Sequence, residues 1–197
     1  MAKTTLEERI KELEHEVAVL KAEKLKLKGL KIGDYFNLAG LRWKILDITS
    51  KGYHCLAEIM VGNKIFDDDS NDWTYSSLRK WLNNDFLNKL EEEIGEKNVV
   101  EFERDLLSLD GQTEYGKCFD KVSLLNVDEY RKYRSLIPNT NKWWWLITPW
   151  STKCNDISKW TAVVFPSGDV VYIVNCGLYF GVRPFCIFSS TIFESEE

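Results

Sequence analysis

The sequence predicts an α+β protein, a helical arm followed by one globular domain whose strands and helices come in blocks. Three observations predict it. A heptad repeat is confined to residues 1–28. Beyond it, strand-like and helix-like stretches do not alternate strictly. Residues 143–193 carry almost no charge, holding only Lys153, Asp156, Lys159, Asp169 and Arg183. A chain of 197 residues with a formal net charge of −5 fits one domain with an appendage. Its acidic balance argues against a nucleic-acid partner, since phosphate binding needs a basic surface. No apolar run reaches the 18 or so residues of a membrane span. The opening Met-Ala-Lys-Thr-Thr has no apolar secretory segment, so the expectation is synthesis in the cytoplasm without a signal peptide. Five cysteines without a C-x-x-C pair fit reduced thiols better than a disulfide framework.

The arm reads as a parallel coiled coil over residues 1–28. Thr5 and Glu8 have the capping-box spacing of a helix start. Leu6, Leu13, Leu20 and Leu27 then fall at d, with Ile10, Val17 and Lys24 at a. Arg9 faces Glu14, Glu16 faces Lys21 and Glu23 faces Lys28 at the flanking positions, all attractive in a parallel register. Self-association through Leu6, Ile10, Leu13, Val17, Leu20 and Leu27 is the resulting expectation. The a/d pattern suits two strands and the Arg9–Glu14 bracket suits three; a trimer is favoured over a dimer.

The domain, residues 29–197, opens with a strand pair at 41–48 and 53–59 joined by Ser50-Lys51-Gly52. After a polar loop at 67–72, a helix begins at Ser76-Ser77 with Leu78, Trp81, Leu82, Phe86 and Leu90 on one face. A second helix, interrupted at Gly95, is expected over 91–107 and a short strand over 121–125. Asn126 and Glu129 have the form of a helix cap. Strands at 160–165 and 170–175 flank the turn Pro166-Ser167-Gly168-Asp169, and 181–188 supplies one more.

The residues offer little to catalysis. His15 falls on an outward position of the coil, and His54 in a strand reads as packed or solvent-facing. The run Asp67–Asp72 fails the calcium-loop rule, having Asp72 where that loop needs glycine and Leu78 where it needs glutamate. There is no phosphate-cradling glycine loop and no metal-spaced Cys/His set. No cofactor, metal or catalytic residue is expected.

Three blocks carry a resemblance: Trp73-Thr74-Tyr75-Ser76-Ser77-Leu78-Arg79-Lys80-Trp81-Leu82-Asn83-Asn84, then Asp120-Lys121-Val122-Ser123-Leu124-Leu125, then Trp144-Trp145-Leu146…Pro149 with Gly181-Val182-Arg183-Pro184. The chain resembles a domain family of gut bacteria and their phages, with members that are variable proteins of diversity-generating retroelements. The resemblance implies a C-type-lectin-like fold of the formylglycine-generating-enzyme branch. It also implies a non-enzymatic ligand-binding role, with a C-terminal face varied by a reverse transcriptase that rewrites adenines over about residues 143–185. Ser151, Thr152, Cys154, Asn155, Asp156, Val171, Tyr172, Ile173, Asn175, Cys176, Leu178, Tyr179 and Phe180 are all reachable from an Asn codon by changing adenines, whereas Trp150 is not. These residues and Trp150 form the expected contact face. Trp144, Leu146, Val182 and Phe185 form its core, with Arg183 tied to a carboxylate or backbone carbonyls. The expected ligand is a protein or glycan on a cell surface, and the chain a phage or prophage product, associated with a virion tail. Two alternatives are a formylglycine-generating-type thiol oxidase, with Cys176 and Cys186 as the nearest cysteines, and a structural virion protein without a diversified site.

Overall fold

Two sheets and a two-stranded ribbon frame the structure, and the computed structural model describes residues 9, 10, 13, 29–156 and 158–193. The first sheet has the order β1 (Tyr35–Leu38), β2 (Leu41–Thr49), β3 (Gly52–Ala57), β13 (Phe185–Phe188) and β5 (Val99–Val100), and β8 (Val122–Ser123) also pairs with β13. The second has the order β11 (Val170–Asn175), β10 (Trp160–Val164), β9 (Trp144–Pro149), β12 (Phe180–Gly181) and β4 (Asn63–Lys64). The ribbon joins β6 (Phe102–Asp105) to β7 (Lys117–Asp120). Helix α1 (Ser77–Trp81) continues through a π-helical turn (Leu82–Phe86) into α2 (Leu87–Ile94), and α3 is Val127–Lys132.

Strand β9 shows why the low-charge zone folds as it does. Alternate side chains leave a strand on opposite faces. Trp145 and Ile147 enter one apolar cluster, Trp144 and Leu146 the other, and every residue of the strand is buried. A strand covered on both faces reads as a continuous apolar run instead of an alternating one. The expected core residues Trp144, Leu146, Val182 and Phe185 are all buried.

Polar contacts lock these layers together. Asp120, at the end of β7, accepts from Trp73 Nε1 at 2.8 Å and from Arg79 Nε at 2.6 Å. Arg79 also donates to the carbonyls of Thr74 and Phe119, at 2.9 Å each. Asn83, in the π-turn, accepts from the backbone of Lys121 and Val122 and donates to the Val122 carbonyl at 2.7 Å. The first two blocks of the resemblance therefore meet at one buried carboxylate. On the other side, Asn126 and Glu129 form the expected capping box. Glu129 also takes both guanidinium nitrogens of buried Arg104 at 2.6 Å, tying α3 to β6. Lys132 and the Tyr133 hydroxyl donate to Asp47 of β2 at 2.8 Å.

The predicted fold class is corrected by this architecture. In place of an α+β C-type-lectin-like domain behind a coiled coil, the regular structure of the described residues is mostly β-sheet, and their one longer helical stretch is Ser77–Ile94. No coiled-coil helix is seen among them: Arg9, Ile10 and Leu13 are helical, with Ile10 and Leu13 exposed. The other seam positions, Leu6, Val17, Leu20 and Leu27, and with them the trimer reading, lie outside the described residues. The helix expected over 91–107 stops at Ile94. Gly95, at φ +85°, turns the chain, its N–H bonded to the Glu91 carbonyl. Residues 102–105 alternate with a period of two, Phe102 and Arg104 inward, Glu103 and Asp105 outward, which is a strand pattern. The expected strand at 181–188 is broken between β12 and β13, which belong to different sheets. The hairpin at 50–52 stands. Gly52 has φ +131°, and a Cβ there would lie 2.1 Å from the Phe188 carbonyl oxygen.

Removing the shared acceptor leaves the buried Trp73 indole N–H and the half-buried Arg79 Nε without their partner, so Asp120→Ala is expected to destabilise the domain by about 3 kcal/mol in urea titration. Hydrogen bonding from Lys132 holds the Asp47 carboxyl below its ordinary value of 3.8. A carboxyl lowered in the folded state contributes stability above its unfolded value and loses it as pH falls through the folded one. Asp47→Asn is therefore expected to lose less stability than the unmodified chain between pH 6 and pH 3, measured by thermal unfolding across that range.

Candidate binding face

The segment between β11 and β12 is a short loop held at both ends. Cys176 N donates to the Lys159 carbonyl at 2.9 Å, and the Cys176 carbonyl accepts from Phe66 N at 2.9 Å. Gly177 N donates to Asn175 Oδ1 at 2.9 Å, and Leu178 N to the Asn175 carbonyl at 3.1 Å. At the far end Phe180 pairs with Lys64 of β4. Phe180 packs edge-on against Trp145, with centroids 4.9 Å apart, and lies parallel to Trp143 at 5.2 Å. Between these anchors Leu178 is 50% exposed and Tyr179 72% exposed. Both side chains are thus in contact with water on a loop whose two ends are fixed.

The fold divides the expected contact residues into separate groups. Leu178 and Tyr179 are exposed on this loop, and Ile173 is exposed on the edge strand β11. Cys154, Asn155 and Asp156 are exposed on a 3₁₀ turn, where Asp156 takes the left-handed conformation at φ 56°. Trp150, Val171, Tyr172, Asn175 and Phe180 are half-buried. Tyr172 and Val171 pack against opposite apolar clusters, and Trp150 and Tyr172 lie 6.1 Å apart between ring centroids.

Three residues are corrected outright, because Ser151, Thr152 and Cys176 are buried and cannot meet a ligand. Ser151 donates to Asp110 at 2.6 Å, and Asn155 donates to the same carboxylate at 2.9 Å. Hydrogen bonds from Ser108 and Ser151 hold the Asp110 carboxyl below its ordinary value; Thr152 and Cys154 do the same for Glu114. The 151–155 segment is thus a structural clasp on the 108–114 loop. Asn71 reinforces it, donating to the Ser151 and Trp160 carbonyls and accepting from the Tyr115 hydroxyl at 2.7 Å. Sequence reasoning missed Trp143 as a surface residue. It is 36% exposed and packs on Phe165 and Phe180, a neighbourhood made by three separated segments.

Several other chemistry-bearing groups are buried or bonded within the fold. Burial raises the Cys176 thiol to about 11 and that of Cys186 well above its ordinary range. His54, in β3, lies 3.0 Å from the Thr49 hydroxyl, and burial lowers its pKa. In the acidic loop, Asp67 accepts from Ser77 N and Asp72 from Thr74 N, both at 2.9 Å, and Asp69 pairs with Lys159 at 2.8 Å. No group of three His, Cys, Asp or Glu able to hold a metal occurs among the described residues. Arg183 is buried, as expected against a backbone carbonyl. Its Nε donates to the Ala57 carbonyl at 3.1 Å and its guanidinium lies 4.8 Å from the Trp144 ring centroid, and burial lowers its pKa to about 10. Its two terminal nitrogens have no hydrogen-bond partner among the described residues.

Residues 55–190 match a family described as a domain of unknown function (DUF6273). No curated protein and no solved structure matches the chain.

The exposures predict a contrast along three consecutive residues. Leu178→Ser and Tyr179→Ser are each expected to change stability by less than about 0.5 kcal/mol. Phe180→Ser, which empties the contact between Trp143 and Trp145, is expected to cost about 2 kcal/mol. Urea unfolding of the three variants checks the pattern.

Proposed function

The chain belongs to the DUF6273 family, and on that premise we propose that it is a non-enzymatic binding protein whose contact face centres on the loop carrying Leu178 and Tyr179. One observation carries the reading: those two side chains face water from a loop whose ends are fixed by the backbone bonds of Cys176 and the stacking of Phe180. Rigid aromatic and aliphatic anchors of this kind contribute most to protein recognition. Exchanging them leaves the buried frame untouched, since neither belongs to an apolar cluster of the described residues.

The reading extends to diversification. Ile173, Leu178 and Tyr179, with Cys154, Asn155 and Asp156, are exposed positions whose codons adenine rewriting can reach. They are the positions at which copies of the chain would differ, on a phage-borne protein that recognises a protein or glycan on a cell surface. The enzymatic alternative has no observation in its favour. Thiol oxidation needs an accessible thiolate, and Cys176 and Cys186 are both buried with raised pKa values.

A display library randomised at Ile173, Leu178 and Tyr179, selected against hen-egg lysozyme as a test ligand, examines the binding face directly. Folded variants that bind lysozyme are expected; a library whose members mostly fail to fold would refute the exchangeable face. Diversification is tested in the neighbouring DNA. A near-copy of the stretch coding for residues 143–185, differing only at adenines and lying beside a reverse-transcriptase gene, is expected; flanking DNA with neither sinks that part.

A further inference from the structure

The guanidinium of Arg183 is fixed inside the domain and left short of acceptors. Its residue lies between β12 and β13, where the backbone is tied to segment 57–62 on either side of it. Val61 N donates to the Val182 carbonyl, Val182 N to the Gly62 carbonyl and Ala57 N to the Pro184 carbonyl, at 2.9 Å each. The side chain is fully buried, Nε donates to the Ala57 carbonyl, and the head lies against the Trp144 ring. Nη1 and Nη2 therefore cannot turn to water, and neither has an acceptor among the described residues. A guanidinium keeps its charge in proteins. Burying that charge is costly unless an opposite charge or full hydrogen bonding meets it.

The groups close enough to act on Arg183 electrostatically are Tyr35, Tyr130 and Glu58, and each is engaged elsewhere. The Glu58 carboxylate is taken by Arg42, with both oxygens 3.1 Å from Nη1 of that residue. The Tyr130 hydroxyl donates to the Gly168 carbonyl at 2.7 Å. The Tyr35 ring carries two cations, Arg42 at 4.2 Å and Lys44 at 4.0 Å from its centroid, and Arg134 lies 5.7 Å from that of Tyr130. Lys44 donates to the Gly33 carbonyl, and Arg134 to the Ile137 carbonyl and the Asn139 side chain, so neither meets a carboxylate among the described residues. Arg42, Lys44 and Arg134 thus join Arg183 against the carboxylates of Glu58 and of Asp169, which is exposed and bonded to Ser167. The charge around the guanidinium is in positive excess.

We infer that Arg183 holds a small inorganic anion of the halide class inside the domain, hydrogen-bonded by Nη1 and Nη2. Water would satisfy the donors but leave the charge uncompensated; a halide does both. A larger acid would have to reach a guanidinium with no exposed surface, which confines the occupant to an ion enclosed as the domain folds. The site shares no residue with the Leu178–Tyr179 face and stands or falls independently of it.

The test uses the full chain in chloride exchanged ion for ion with gluconate, so that ionic strength is constant. Raising chloride from about 1 mM to about 200 mM is expected to raise the thermal midpoint by about 3 °C, and Arg183→Met should abolish the rise. Crystals grown in bromide should give an anomalous peak in hydrogen-bond contact with Nη1 and Nη2. A midpoint indifferent to chloride, or a rise that Arg183→Met retains, would overturn the proposal. So would an anomalous map without a peak at the guanidinium. If Arg183→Met does not fold, the bromide map of the unmodified chain decides alone.

Discussion

The carboxylate of Asp120 is the contact on which the arrangement of layers depends. It is buried, and it is shared by an indole N–H from the turn before α1 and a guanidinium from α1 itself. Burying a charge is costly unless donors surround it. Trp73 and Arg79 meet that cost only when the helical stretch, the β6–β7 ribbon and the segment leading to β8 are all in place. Asn83 adds a second condition, because its amide completes the backbone of Lys121 and Val122. The π-turn within the helical stretch includes Asn83, at the point where that side chain reaches across. The helix therefore acts less as an independent element than as a clamp on the ribbon.

That clamp, with the two-sided burial of β9, explains how a surface rich in apolar side chains coexists with a stable frame. Trp144 and Trp145 face opposite clusters from adjacent positions, so the second sheet is held from both sides. Phe180 is the transition residue. Its ring is packed between tryptophans, while the two residues before it project into solvent. The backbone of the loop is positioned by bonds from Cys176 and Asn175 and not by the side chains at its tip. The proposed contact side chains and the groups that hold the fold are thus different atoms within a few residues of each other. The same separation appears in the 151–156 segment, where Ser151 and Thr152 hold the loop from inside and Asp156 faces out.

Much of the fold was legible in local pattern. The turn at Ser50-Lys51-Gly52, the Asn126–Glu129 cap and the strands around Pro166–Asp169 arise from side-chain chemistry within a few residues, and all are present. The region 91–107 was misread because its charged residues look helical in composition. Its period of two emerges only once Phe102 and Arg104 have a core to face. The candidate site was legible only in part. Codon reach and composition picked out Leu178 and Tyr179, but the same reasoning selected Ser151, Thr152 and Cys176, which are inside.

The sequence by itself determined where chain reversals and helix caps fall, which stretch would be apolar, and that no ready-made metal or nucleophile motif is present. These depend on neighbouring residues and on side-chain identity. Tertiary structure decided the class of the fold, by assigning ambiguous segments to strands, and it decided which apolar residues are core and which are surface. An apolar side chain is driven from water equally by any cover it can find. Only the packing of distant segments, such as Trp143 and Phe165 around Phe180, settles which ones are covered.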